Sequence, residues 1–464
     1  MDVLLINPKN IFEKKSEKVK AKFALSLYPP LGILYIASVL EKKRISVEIV
    51  DAIASDISLE EIIHNIQKNK PKIIGITATT PQIRGAVQIA QLIKKQYCDD
   101  IVIGIGGPHV SADKSFIERF NCFDFSIEGE GEITFSEIVL EVLNGKKIRG
   151  NYKGEIINNL DENPFPARHL ISNVNYYIKD YGKHFATIHT TRGCPFNCVY
   201  CSNPVTDRKM RFRSPTNVVD EMQYCINTIN AKLILFTDDT FTANRKRTEE
   251  ICLEIMKRNF KVDWFCETRA DLVDRDLLEL MYKSGCKEIS FGVETGNEKL
   301  RFEVIRKRIN DLDLIKAFEL CREMGIKTSA FCMLGFPTET EKDMYETYKL
   351  CLKLKPDTMG LHLTVPMPGA DIFYEAIREK KIDIDIWDQY AKGLTSIQPV
   401  YIPNGFSLSD LREVQKDIYR KYYFRPQYII SRFISDFKSF ESLKQDAILA
   451  LNLLYRSSTT TGRP

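Results

Sequence analysis

Two long blocks of this chain alternate continuous β-branched runs with stretches of helical period, and that alternation restricts the fold more than any other feature. In the first block, residues 1–145, the runs fall at 3–7, 46–51, 73–77, 101–105 and 125–127, with helical stretches at 31–40, 59–67, 82–96 and from Glu132 to about 143. Apolar runs with no polar alternation are strands buried on both faces, and helices between them make the connections parallel. The block is expected to be a doubly wound parallel α/β sheet, Rossmann-like, with a ligand crevice beyond the C-terminal strand ends.

In the second block, residues 186–385, the rhythm lengthens. Strands are expected at 186–188, 233–236, 264–267, 288–291, 329–334 and 359–363, with helices between them. Six such units predict a partial (β/α)6 TIM-like barrel. Residues 146–185 carry the Gly, Pro and Tyr composition of a linker packed on its neighbours (Gly150, Gly154, Pro164, Pro166, Tyr176, Tyr177, Tyr181). Residues 386–464 read as a C-terminal helical cap and polar tail. Within the cap, Tyr419, Tyr422, Tyr423, Phe424, Tyr428, Ile429, Ile430, Phe433, Ile434 and Phe437 recur at roughly helical spacing, interleaved with Arg420, Lys421, Arg425, Arg432 and Lys438. The plain reading is a helix packed over the barrel; the sharper one is a surface for a greasy anionic substrate or peripheral membrane contact.

The 464 residues are 44% hydrophobic and 28% charged, with a net charge of +4. That mixture excludes a disordered chain, and the charge is too small to argue for nucleic acid. No signal-peptide core opens the chain, and its longest apolar stretch, 31–40, is about half a membrane span. A soluble, cytoplasmic protein with no transmembrane segment is expected.

Of 12 cysteines, nine stand singly, most of them in apolar stretches, and read as small buried hydrophobes. Cys194, Cys198 and Cys201 instead form C-x-x-x-C-x-x-C just after the first strand of the second block, where barrel enzymes build their sites. Thiolates bind soft metals. Zinc would want a fourth ligand, and the nearby His189 sits on a strand. An iron–sulfur cluster usually takes four cysteines, so three leave one iron open to a ligand.

The loop Arg192-Gly193-Cys194-Pro195-Phe196-Asn197-Cys198-Val199-Tyr200-Cys201 resembles the radical S-adenosylmethionine (SAM) superfamily. The resemblance implies that Cys194, Cys198 and Cys201 hold a 4Fe–4S cluster whose open iron chelates SAM. Cleavage of SAM by an electron from the cluster would then yield a 5′-deoxyadenosyl radical that abstracts hydrogen from substrate. Thr237-Asp238-Asp239-Thr240-Phe241, Glu267-Thr268-Arg269-Ala270-Asp271, Gly292-Val293-Glu294-Thr295-Gly296 and Gly335-Phe336-Pro337-Thr338-Glu339 match the cobalamin-associated branch. The match assigns Tyr200, Asp238, Arg269, Glu294 and Gly335 as SAM contacts and singles out no catalytic acid or base. Arg306-Lys307 reads as a solvated face, with a carboxylate contact as the second reading. Val365-Pro366-Met367-Pro368-Gly369 matches the family's segment at the barrel mouth.

Residues 1–145 resemble the cobalamin-binding domain that precedes many such barrels, on Tyr28-Pro29-Pro30-Leu31-Gly32, Asp51, Thr77, Gly106-Gly107-Pro108-His109 and Gly129-Glu130-Gly131-Glu132. Asp51, Thr77, Gly106 and Gly107 are the implied cobalamin contacts, and Gly104, Gly106 and Gly107 would let a corrin or its nucleotide tail approach the backbone. One feature departs from the pattern. Ile53 and Asp56 stand where D-x-H-x-x-G carries its His and Gly, so cobalamin is expected His-off, or the domain has lost it. His109 reads as a helix cap or corrin-edge residue, with a ligand role as the second reading. No G-x-G-x-x-G follows Asn7, which argues against a dinucleotide site. Only Cys98 and Cys122 lie in this block, which argues against the extra cluster of the methylthiotransferases.

The implied activity is radical modification of an unactivated carbon, by cyclisation, rearrangement or elimination, in a lipid, tetrapyrrole or natural product. The wording of the motifs is closest to the porphyrin-cyclase and hopanoid-type enzymes. Cobalamin-dependent C-methylation is the alternative, and a non-catalytic cobalamin or redox sensor is a third reading. The implied partners are a small-molecule or lipid-like substrate and a reducing protein such as flavodoxin or ferredoxin, with no nucleic acid.

Overall fold

The computed structural model describes residues 1–12, 27–97, 100–178, 182, 184–203, 205–206, 208–395 and 399–430. Cys98, Tyr181, Arg432, Phe433, Ile434, Phe437, Lys438 and the polar tail lie outside the described residues. The first block folds as expected, around a parallel sheet of β1 (Val3–Asn7), β2 (Val47–Asp51), β3 (Ile73–Thr77), β4 (Val102–Gly106), β5 (Phe125–Glu128) and β6 (Gly150–Lys153). The strand order is β2-β1-β3-β4-β5-β6, so the winding reverses between β1 and β3. The C-terminal ends of those two strands therefore diverge and open a crevice. β6 comes from the stretch read as a linker. Gly-Asn-Tyr-Lys at a sheet edge is short, polar and largely exposed, so no apolar pattern announces it.

The second block begins with β7 (Phe185–Ile188). A two-stranded antiparallel ribbon follows, β8 (Thr191–Arg192) with β9 (Arg211–Phe212). Then come β10 (Leu233–Phe236), β11 (Asp263–Thr268), β12 (Cys286–Glu294), β13 (Lys327–Leu334) and β14 (Thr358–Leu363). The order β14-β13-β12-β11-β10-β7 is all parallel and leaves β7 and β14 as free edges, the partial barrel that six units predict. Ser214, Asn244, Asp274, Asn297, Asn310 and Thr340 each start a helix by accepting the N–H three residues ahead.

The connector binds the two sheets together. Tyr176 donates its hydroxyl to Asp51 at 2.9 Å, and Arg168 reaches both Thr187 O (2.7 Å) and Glu221 (2.5 Å) in buried surroundings. Leu31, Leu34 and Tyr35 of the first domain pack with Ile171, Tyr176 and Ile178 of the connector and with Phe185 and Leu233 of the barrel. The helix Leu408–Tyr423 covers the free edge at β14. The Tyr419 hydroxyl accepts the Leu361 N–H (2.7 Å) and donates to its carbonyl (3.0 Å); Tyr423 does the same for Met359 (2.9 and 2.7 Å). In the described part of the aromatic stripe, these tyrosines therefore face the barrel, as the packed-helix reading expects.

Candidate active site

The cysteine loop leaves the barrel through the β8–β9 ribbon, which ties together its two ends. Gly193 takes φ +90° immediately before Cys194, a turn that a residue with a Cβ resists. Val199 is buried and sewn into the barrel, its N–H donating to Ile305 O and its carbonyl accepting from Ile372, both at 3.0 Å. Phe196 lies under the Arg269 guanidinium, 3.9 Å from ring centroid to cation. Cys194, Cys198 and Cys201 are free thiols with partial or full exposure, whereas the eight other described cysteines are buried.

Cys198 and Cys201 both feel their neighbours in the loop. Burial pushes Cys198 up, and Cys194 and Glu294 add to the rise, against Lys307 and Arg269. Burial, Cys198, Asp239 and Cys194 push Cys201 up to about 12. Among the described residues, no three His, Cys, Asp or Glu side chains converge as ligands of a single ion would. Three neighbouring thiols spread around a loop suit the corners of a cluster instead, and iron would take them as thiolates.

The five predicted SAM contacts are all near this loop, but they are not equivalent. Asp238 is buried and accepts four hydrogen bonds, from Thr190 N, Thr190 Oγ1 and Thr191 N at 2.7 Å and from Thr191 Oγ1 at 2.9 Å. It fastens the base of the cysteine loop rather than offering a free carboxylate. Arg269 is buried, held by Asp271 (2.8 Å) and Lys307 O (2.8 Å), with one face of its guanidinium on the Phe196 ring. Glu294 takes φ +66°, rare for a residue with a Cβ, at the end of β12. Its Oε1 accepts Lys307 Nζ at 2.5 Å, and Tyr200 also hydrogen-bonds to it. Lys307 is therefore a buried carboxylate contact, not a solvated face, while the more exposed Arg306 pairs with Asp371. Gly335 (φ +89°) donates its N–H to Glu339.

Two acids that the sequence reading passed over are the less engaged ones. Asp239 accepts from Asn203 (2.9 Å). Glu267 faces away from the wall of the barrel and has no hydrogen bond or ion pair among the described residues. Burial pushes both carboxyls up, and Asp239 raises Glu267 further. Two nearby carboxylates without a cation form a place for one.

A cavity of about 780 Å³ lies between the two domains. Its N-terminal wall comes from the ends of β1, β3 and β4, including Thr77, Gly106 and Gly107; its other wall includes His189, Gly193, Asn203 and Asp239. Gly107 takes φ +95°, and a Cβ there would sit 2.8 Å from Thr77 Oγ1. Two sequence expectations change here. Asp51 does not line the cavity: it is buried and accepts from Asn7 (3.0 Å), Tyr176, Ile53 N and Ala54 N, bracing the β2 loop instead. Gly104 lines the cavity, and its missing side chain also has a packing reason: the Phe125 ring is 2.2 Å from where a Cβ would be. His109 is wholly buried edge-on to Phe116, and burial pushes its pKa down to about 3. Ile53 does line the cavity, at the position where the His of D-x-H-x-x-G would stand.

Glu130 and Glu132 cross to the ribbon of the cysteine loop. Arg192 pairs with Glu130 (3.0 Å) and Glu132, and Arg211 also pairs with Glu130, all poorly exposed. No described helix is long and apolar enough to cross a membrane.

Residues 188–351 match the model of the radical SAM superfamily, and residues 19–139 match that of the B12 binding domain. The chain is 31% identical to an uncharacterized methyltransferase of Pyrococcus horikoshii, over 87% of this chain and 89% of that one. It is 27% identical to the anaerobic magnesium-protoporphyrin IX monomethyl ester cyclase of Rubrivivax gelatinosus, over 88% and 76%. In fold it is similar to the radical SAM methyltransferase TsrM of Kitasatospora setae, with a TM-score of 0.63 and 17% identity over 82% of this chain and 75% of that one. The chain belongs to the radical SAM superfamily. It is an enzyme of the branch that carries a B12 binding domain ahead of the barrel.

Proposed function

We propose that this enzyme uses a 4Fe–4S cluster on Cys194, Cys198 and Cys201, SAM and cobalamin to modify an unactivated carbon, and that the modification is methyl transfer. When bound, the cluster supplies the electron that cleaves SAM to a 5′-deoxyadenosyl radical, and the corrin supplies a transferable methyl group. Asp239 and Glu267 flank the place for the SAM ammonium. The Glu294–Lys307 pair and Tyr200 stand beside Cys198, and the loop at Gly335 closes the same strand-end face. Thr77, Gly106 and Gly107 offer a wall without bulk to a corrin, and Ile53 offers cobalt no ligand. The observation that carries the reading is the single cavity: it touches both the crevice of the first domain and Gly193, the residue before the first cluster cysteine. A corrin there shares its volume with the radical site, as methyl transfer requires.

Ring closure or rearrangement without net methylation, the outcome closest to the motif wording, is the second reading; the name of the 27% identical cyclase favours it. A sensor role is set aside by the family. An external one-electron donor such as flavodoxin or ferredoxin is needed in either reading. The test is product analysis under anaerobic turnover with a reductant and candidate lipid, tetrapyrrole or natural-product substrates. Methyl transfer yields S-adenosylhomocysteine together with 5′-deoxyadenosine, whereas 5′-deoxyadenosine alone removes the methylation reading. Cys198→Ala should abolish both products and the bound iron; a variant with a full iron complement would overturn the ligand set.

A further inference from the structure

Arg269 directly follows β11, and its guanidinium is held in a fixed plane. Nε and Nη2 donate to the two carboxylate oxygens of Asp271 at 3.0 and 2.8 Å, and Nη2 also donates to Lys307 O at 2.8 Å. A two-pronged pair of this kind fixes orientation as well as position. One face of the plane lies on the Phe196 ring, 3.9 Å from cation to centroid. Phe196 stands midway between Cys194 and Cys198, two residues from each. The stack therefore sets a buried positive charge against the segment that joins two of the three cluster cysteines.

The other charges at the loop are matched or negative. Lys307 and Glu294 are both buried, so water screens neither end of that pair in preference to the other. Arg192 and Arg211 meet Glu130 and Glu132, two cations against two carboxylates. Asp239 and Glu267 bring no positive charge. The Arg269–Asp271 pair is the uneven one. The Asp271 side chain is 26% exposed against 8% for Arg269, and it lines a separate polar cavity of about 380 Å³. Water screens the negative end, while the positive end faces a ring and backbone. The pair thus presents a net positive charge to the cysteine loop.

We propose that Arg269 raises the reduction potential of the cluster held by Cys194, Cys198 and Cys201, so that a one-electron donor can reduce it. The inference rests on the cluster reading above. Accepting one electron from the external donor breaks no bond and adds one negative charge beside the loop. A fixed cation there favours the reduced state. Arg269 acts across Phe196 rather than as a ligand, which makes it a positioning residue with an electrostatic effect.

The test is a potentiometric titration of the full chain, reconstituted anaerobically with iron and sulfide and without SAM, followed by the electron paramagnetic resonance of the reduced cluster. Arg269→Gln should shift the equilibrium toward the oxidised state about tenfold, the effect of one charge across about 10 Å at an effective dielectric of about 20. For a one-electron couple that is a midpoint lower by about 59 mV. Arg269→Lys, which keeps the charge, should stay near the parent. Asp271→Asn should move the midpoint upward, by about threefold in the same ratio, because it removes the screened negative end. Loosening of the loop would displace both positions in one direction, whereas charge gives them opposite signs. An unmoved midpoint in Arg269→Gln, equal displacement in the Gln and Lys variants, or an unmoved or lowered midpoint in Asp271→Asn overturns the inference and leaves the cluster standing. If Arg269→Gln retains no iron, Asp271→Asn decides alone. A parent chain that assembles no cluster removes the cluster reading and this inference with it.

Discussion

Asp238 and Asp239 are adjacent and chemically alike, yet the structure gives them opposite duties. Four donors from Thr190 and Thr191 surround Asp238, while Asp239 lines the cavity with one amide on it. Asp238→Asn turns an amide group toward donors and should cost about 3 kcal/mol, with poorer iron retention. Asp239→Asn should leave stability and iron content unchanged and weaken SAM binding about tenfold; thermal unfolding, iron assay and equilibrium dialysis separate the two. The sequence showed the pair but not which acid was engaged, because adjacent residues in a loop point in directions set by its fold. Glu339 is a further residue whose state depends on its surroundings. Its Oε2 accepts from Gly335 N and Phe336 N, its Oε1 is buried without a partner, and burial raises it to about 7. A carboxyl raised on folding favours the native state below its unfolded pKa, and that advantage is lost as pH climbs to its folded value. Stability should therefore fall by about 3 kcal/mol from acidic to mildly alkaline pH through this group. Glu339→Gln should flatten that slope in urea unfolding across pH.

At the scale of elements, the barrel strands and the sheet strands β1 to β5 were legible, because buried parallel strands need continuous apolar runs and local chemistry is enough to show them. β6 was not legible, since an edge strand has little to bury. The aromatic stripe of the C-terminal helix was visible, but its partner was not. Tyr419 and Tyr423 use their hydroxyls to satisfy the backbone of β14, an edge that closure would have paired in a full barrel. Replacing both by Phe strands two N–H groups and the Met359 carbonyl, while Gln415 still donates to Leu361 O (2.7 Å), and should cost about 2 kcal/mol in urea unfolding, with spectra of the reconstituted cluster unchanged. A loss below a few tenths of a kcal/mol would mean that water reaches that edge.

For the whole molecule, the decisive contact is between domains. Glu130 of the first domain meets Arg192 and Arg211, the residues that flank the cysteine loop. Burial pushes the Glu130 carboxyl up, but Arg211 and Arg192 outweigh it and the net direction is down. Such a carboxylate stabilises the fold above its unfolded pKa, and that contribution fades as pH falls through its folded value. Glu130→Gln leaves the poorly exposed Arg211 guanidinium without its carboxylate, while Arg192 keeps Glu132, and should cost about 3 kcal/mol. Calorimetry should then resolve two transitions in place of one; a single transition at the parent temperature would show that the apolar joint alone couples the domains. The sequence by itself determined both α/β architectures, the three clustered cysteines and the family, because apolar period and motif spacing are local properties of the chain. Only the tertiary structure decided that Asp51 and His109 stand away from the cavity, that Asp239 and Glu267 are the less engaged acids, and that Lys307 is buried on Glu294. Burial, hydrogen-bond saturation and unneutralised charge depend on groups tens to hundreds of residues away, and no spacing along the chain encodes which of two neighbouring side chains will meet them.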